Sequence, residues 1–176
     1  VDSIAMSGQL TQIELLSPID TTEVSENNVF IPIERLIQRT EGANIISRGN
    51  FAQDPILRSY KNSQINVTLN GMRMFGACTD RMDPITSYAE TSNLESISIS
   101  HSGNADLNSN ALGGSLSMNL KEASFSGNPK TSGLIGTSLA SNTNGYNLFG
   151  QLNHQNKRWG LFLQASTKNH GNYYAG

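Results

Sequence analysis

The chain has 176 residues, enough for one domain or for one domain with a piece of another. Twelve basic residues face fourteen acidic ones, a net charge of −2, which leaves no electrostatic footprint for nucleic acid. Charged residues are only 15%, and no apolar run approaches the roughly 20 residues of a membrane helix, so a helical span is excluded while a β-barrel span stays open.

Ser, Asn and Gly are plentiful, which suits short strands joined by polar turns. Cys78 is the single cysteine and cannot form an internal disulfide. The chain opens without a charged n-region and apolar h-region, so the expectation is a cytoplasmic protein or one whose export signal has been removed.

Val1–Gln9 reads as an extended terminus. Ile19–Val24 is expected to be a strand, with Ser25–Asn28 as its turn. Phe30–Thr40 is the expected helix. Pro32 suits its first turn, Ile33, Leu36 and Ile37 form one apolar stripe, and Gly42 ends it in the left-handed conformation. A strand over Asn44–Arg48 and a polar loop through Asp54-Pro55 come next. Gln64–Asn70 alternates, with Ile65, Val67 and Leu69 on one face, and Asn70-Gly71 is a strong turn signal.

Four sulfur side chains then fall within eleven residues: Met72, Met74, Cys78 and Met82. Thioether and thiolate donors suit Cu(I) and other thiophilic metals, although methionine and cysteine also serve as core filler. Asp83 is expected to cap a second short helix with Pro84 at its first position and Ile85, Tyr88 and Ala89 facing inward. Asn93–Ser100 is a strand with Ile97 and Ile99 on one side. His101–Leu112 is a polar loop, and Gly113-Gly114 opens a strand whose Leu116, Met118 and Leu120 share a face.

The character changes after Lys130. Gly133–Ser141, Tyr146–Gln155 and Trp159–Lys168 are three strand-like segments joined at Asn144-Gly145 and Asn156-Lys157-Arg158. Trp159, Leu161, Leu163 and Ala165 share one face of the third; Tyr146, Leu148, Gly150 and Leu152 share one face of the second. Phe149 and Phe162 break the pattern. The lengths match the roughly 9–11 residues of a tilted membrane strand, and Tyr146 and Trp159 fit an interfacial girdle. A soluble antiparallel sheet with one wet face accounts for the same residues.

The order of these elements resembles the plug domain of a TonB-dependent outer-membrane receptor followed by its first barrel strands. Val1-Asp-Ser-Ile-Ala-Met-Ser-Gly8 is similar to a TonB box, which implies that Val1, Asp2, Ser3, Ile4 and Ala5 meet the TonB protein. Leu36–Ile46 resembles the plug helix, its "TPGV" turn and strand, with Glu41 where proline is usual. Ser59 stands where "IRG" would place glycine. Ile65–Arg73 resembles "VLLDGMR" with Asn70 for aspartate, Asn93–Ile99 resembles "IERIEV", and Ala111–Met118 resembles "ALGGVINI".

The resemblance implies an α+β plug domain with a small mixed sheet, followed by antiparallel strands of a transmembrane β-barrel that is incomplete in this chain. Its parts would be an extended segment over 1–18, a plug over 19–127 and barrel strands over 128–176. Three strands cannot close a barrel, so a longer polypeptide is expected.

The resemblance further implies a transport receptor in the outer membrane of a Gram-negative bacterium, plug toward the periplasm, with no enzymatic activity and no catalytic cofactor. Its partners would be TonB, outer-membrane lipids, a transported ligand and a surface lipoprotein, with no nucleic acid.

Cys78-Thr-Asp-Arg-Met-Asp-Pro84 is similar to the plug motif of copper-importing receptors, which makes Cys78 and Met82 candidate ligands for a bound copper ion as cargo. Met72, Met74 and Arg81 are further ligand-binding candidates, although core or loop packing is the better account of the two methionines, and a barrel-wall carboxylate is an alternative partner for Arg81. His101, His154 and His170 have no motif to support them. The alternatives are a receptor of the same architecture for a siderophore, cobalamin, glycan or peptide, and a soluble β-rich binding or adhesion module.

Overall fold

A computed structural model describes residues 19–25, 28–47, 53–76, 78, 83–101, 111–141, 144–169 and 171. The expected TonB-box segment, Arg81, Met82 and His170 lie outside these residues.

The alternating segments build one mixed sheet. Its strands are β1 (Ile19–Glu23), β5 (Asn66–Leu69), β6 (Met72–Arg73), β7 (Leu94–Ser100) and β8 (Ser115–Leu120), in the order β1-β7-β8-β5-β6. β5 runs parallel to β8, and every other pairing is antiparallel. A second sheet of β2 (Ala43–Ser47), β3 (Gln53–Leu57) and β4 (Tyr60–Lys61) lies beside an α-helix, α1 (Ile33–Ile37). Among the described residues no helix is long and apolar enough to cross a membrane.

The expected apolar faces meet in one core. Ile33, Leu36 and Ile37 of α1 join Leu57, Val67, Leu94, Ile97, Ile99, Leu116 and Met118, all nearly inaccessible. Each such side chain contributes about 1.5–3 kcal/mol by leaving water.

Several expectations change. α1 spans five residues rather than the expected Phe30–Thr40. Pro32 (φ −53°, ψ 141°) is its N-cap and makes no side-chain cap bond. After Ile37 the bonds tighten to i→i+3, with the N–H groups of Arg39 and Thr40 donating to Leu36 and Ile37 carbonyls. Gly42 does take the left-handed conformation, at φ +74°.

The polar loop expected through Asp54-Pro55 is strand β3, paired with β2 at Ile45↔Pro55 and Ile46↔Asp54. β4 covers its other edge only at Ile56 and Leu57, so the missing N–H of Pro55 interrupts no ladder there.

The second short helix is a 3-10 turn over Ile85–Tyr88 whose N-cap is Pro84, not Asp83. Three residues per turn carry Thr86 into the core, and Tyr88, expected to face inward, is 44% exposed.

The last three segments form a separate antiparallel sheet, order β11-β10-β9, from β9 (Lys130–Ala140), β10 (Gly145–Gln155) and β11 (Gly160–Asn169). Its polarity is inverted. Leu148, Leu152, Leu161, Leu163, Ile135 and Leu139 point away from the body and are exposed, whereas Asn147, Gln151, Asn153 and Gln164 face it.

Phe149 and Phe162 no longer break a rule, because they sit on the inward face. Phe149 is buried and meets Phe30 edge-on at 5.2 Å. Opposite Phe149 lies Gly136, where a Cβ would come within 2.4 Å of the Phe149 ring and 2.6 Å of Phe30. Polar contacts also cross the joint: Gln164 Nε2 donates to Ser92 Oγ at 2.8 Å, Lys121 Nζ to Gln151 Oε1 at 3.4 Å, and Lys168 pairs with Glu90.

Gly136→Val should force one of the two rings out, at a cost of about 1–3 kcal/mol. The full-length protein should then melt several degrees lower and be cleaved faster by protease within residues 19–120. An unchanged melting temperature and cleavage rate would mean that the aromatic pair does not join the two sheets.

Candidate functional site

The sulfur-rich stretch leaves the sheet through a tight hairpin. Asn70 (φ +48°) and Gly71 (φ +78°) turn β5 into β6, two consecutive positive φ values of the kind that suit Asn-Gly. Asn70 also fixes the hairpin, its Oδ1 accepting from Leu120 N–H at 2.7 Å and its Nδ2 donating to Glu122 at 3.3 Å. The Met74 N–H donates to the Val67 carbonyl at 2.8 Å, carrying the extended chain one residue past β6.

The loop is closed by Asp83. One carboxylate oxygen accepts the Cys78 N–H at 3.0 Å and the other accepts the Tyr88 hydroxyl at 2.9 Å. Gly76 permits this approach, since a Cβ there would lie 3.3 Å from the Asp83 carbonyl oxygen. The 3-10 turn that follows is tied to β3 by Thr86 Oγ1, which donates to the Gln53 carbonyl at 2.8 Å.

These elements enclose a cleft of about 250 Å³. Met74 and Cys78 bring sulfur to it, Asp54 and Asp83 bring carboxylates, and Ser63 and Arg73 complete its polar lining. Asp54 is 7% exposed, on the strand that had been read as a loop. Arg73 lies over the Phe75 ring, 5.0 Å from its centroid, and both line the cleft.

The sulfur side chains in this lining suit a thiophilic cation better than Mg or Ca, because thiolate and thioether bind such ions with more covalency. Among the described residues no group of three or more His, Cys, Asp or Glu is placed to hold a metal.

The sequence-based candidates separate. Cys78 and Met74 share the cleft, whereas Met72 is 65% exposed and outside its lining. Of the two methionines flanking Arg73, only Met74 lines the cleft. His101 lies against Gly42, far in sequence from the cleft lining. His154 is on β10, its Nδ1 2.7 Å from Thr131 Oγ1.

Sequence reasoning missed Asp54, Ser63 and Phe75, and gave Asp83 the wrong task. Gln53–Leu57 shows no hydropathy alternation, so the sequence carried no signal for the burial of Asp54.

The family model described as TonB-dependent Receptor Plug Domain matches residues 17–115. Among solved structures, the chain is similar to the copper transporter OprC (TM-score 0.73, 21% identity, 89% of this chain and 25% of that one). It is also similar to the siderophore receptor PirA from Acinetobacter baumannii (TM-score 0.55, 16% identity, 77% and 22%). The ferric enterobactin receptor PfeA matches at TM-score 0.59 with 12% identity over 85% and 24%.

The chain thus spans about a quarter of the length of these receptors. No curated protein matches it by sequence. The family match covers more than half of the chain, and the mixed sheet, the short helix and the inverted wall agree with it: the chain belongs to the TonB-dependent receptor plug domain family.

Proposed function

We propose that this plug and these strands belong to a TonB-dependent outer-membrane receptor that imports copper, without covalent chemistry. The cleft carries the reading: Met74 and Cys78 both line it, and Met82 follows Cys78 by four residues. That one similar structure is a copper transporter supports the same cargo.

In this reading Cys78 and Met82 supply thiolate and thioether to the ion, and Met74 is an auxiliary donor. Donors from elsewhere in the barrel would complete the shell. The Val1–Ala5 segment is offered to TonB on the periplasmic side, and a surface lipoprotein is a further partner. Arg81 remains a candidate contact to the ligand or to the barrel wall. The inverted polarity of β9–β11 supports the membrane location, because a soluble module would turn Leu148, Leu161 and Leu163 inward.

A second cargo has its own observation. Arg73 stacked on Phe75 at the cleft presents a cation and an aromatic face, a pair suited to an anionic aryl chelate such as a ferric siderophore. Growth of the deletion strain on copper-limited and iron-limited media separates the two cargoes.

Copper content of the purified full-length receptor tests the ligands. The Cys78→Ala/Met82→Ala variant should lose most of the bound copper, and an unchanged stoichiometry would end the assignment.

Asp83 has a test of its own. It holds Cys78 through the backbone, so Asp83→Ala should lower copper affinity about tenfold, in line with losses of outer-shell partners. Asp83→Asn keeps an oxygen that can accept the Cys78 N–H and should recover most of that loss. Equal affinity in all three proteins would show that the loop needs no such anchor.

A further inference from the structure

Charge is distributed unevenly along the chain. None of the fourteen acidic residues lies beyond Glu122, whereas four of the twelve basic ones do: Lys130, Lys157, Arg158 and Lys168. Lys168 is on the inward face, paired with Glu90 of the plug.

The other three converge on one end of the wall. Lys130 opens β9 directly opposite Gln155, the last residue of β10, and Lys157 and Arg158 form the turn into β11. All three are exposed, and none has an acidic partner among the described residues.

Aromatic side chains sit beside these cations. Trp159 is 51% exposed, and its ring is braced against His154 at 4.5 Å between centroids. His154 is held in turn by Thr131. The linker from the plug passes the same turn, with the Ser126 N–H donating to the Asn156 carbonyl at 3.4 Å, and it carries Phe125, 68% exposed. Further along the outward face come Leu161, Leu163 and Ile135.

Cation, indole, then aliphatic is the order of chemistry met on entering a phospholipid leaflet: phosphate, interfacial ester layer, acyl chains. Among the described residues the opposite end lacks the first layer. Ser141–Asn144 carries no charge, and Tyr146 stands there without a neighbouring cation on the outward face.

We infer that Lys130, Lys157 and Arg158, with Trp159, form a binding site for the phosphate of an anionic phospholipid, of the phosphatidylglycerol class, at the end of the wall where the chain leaves the plug. This rests on reading β9–β11 as membrane-spanning. It adds a lipid class and a leaflet side to that reading: one rim is anchored by charge, and the other only by apolar and aromatic contact.

The test uses the full-length receptor in bilayer nanodiscs of phosphatidylcholine with a minor fraction of phosphatidylglycerol, counting co-purified lipid by native mass spectrometry. The wild type should enrich phosphatidylglycerol at low salt and lose the enrichment at high salt. The Lys130→Gln/Lys157→Gln/Arg158→Gln variant should insert normally and lose the preference by at least about tenfold. Trp159→Ala should weaken retention without abolishing the preference for the anion.

A wild type that inserts without preference, or a triple variant that keeps it, overturns the headgroup site and leaves the membrane reading standing. A receptor that enters no bilayer overturns both. Displacement of phosphatidylglycerol by lipid A at the same three residues overturns the assigned lipid.

Discussion

The constraint on which this structure depends is the direction of alternation in its last three strands. A sheet packed on a body normally buries its aliphatic face and wets its polar one. Here Leu148, Leu152, Leu161 and Leu163 point outward, and Asn147, Gln151, Asn153 and Gln164 face the plug. Such a sheet is stable only if something other than water covers its outer face. The same inversion gives the plug a polar surface to rest on, and among the described residues plug and wall meet through hydrogen bonds and the Glu90–Lys168 ion pair.

That division sets two energy scales. Inside the plug, Leu36, Ile37, Leu57, Leu94, Ile97, Ile99, Leu116 and Met118 form a sealed cluster. Removing any one of them costs several kcal/mol, since the cavity left behind closes only partly. Across the seam, the Glu90–Lys168 side chains are 43% and 41% exposed, and an exposed pair of this kind contributes about 0–1 kcal/mol. Phe30 against Phe149, the latter 3% exposed, adds an apolar contact between the two. A force applied to the plug therefore meets less resistance at the seam than in the core.

Much of the fold was legible because its signals were periodic. Ile97 and Ile99, Leu116 and Met118, and the leucines of the wall announced strands, and Asn70-Gly71 and Gly42 announced turns that positive φ values bear out. The misses came where one residue was given its commonest local role. Asp54-Pro55 looked like a breaker, but a strand covered by a partner on only one side at that point accommodates a residue without an N–H.

Asp83 before Pro84 looked like a helix cap, yet its carboxylate reaches back five residues to the Cys78 N–H and forward to Tyr88. No periodicity encodes such a contact. Phe149 looked like an error in a pattern, because one strand does not say that its polar face has an aromatic waiting opposite.

The site follows from the same economy. Cys78 itself is held by a side-chain contact rather than by a ladder. Asp83 supplies that contact and another to Tyr88, and Thr86 ties the adjoining turn to the Gln53 carbonyl on β3. β3 in turn places Asp54 at the cleft and Leu57 in the core. A displacement of the Cys78 loop is thereby mechanically linked to a strand anchored in the core. The seam with the wall is the softer boundary, so the plug can shift as a body before its own sheet is disturbed.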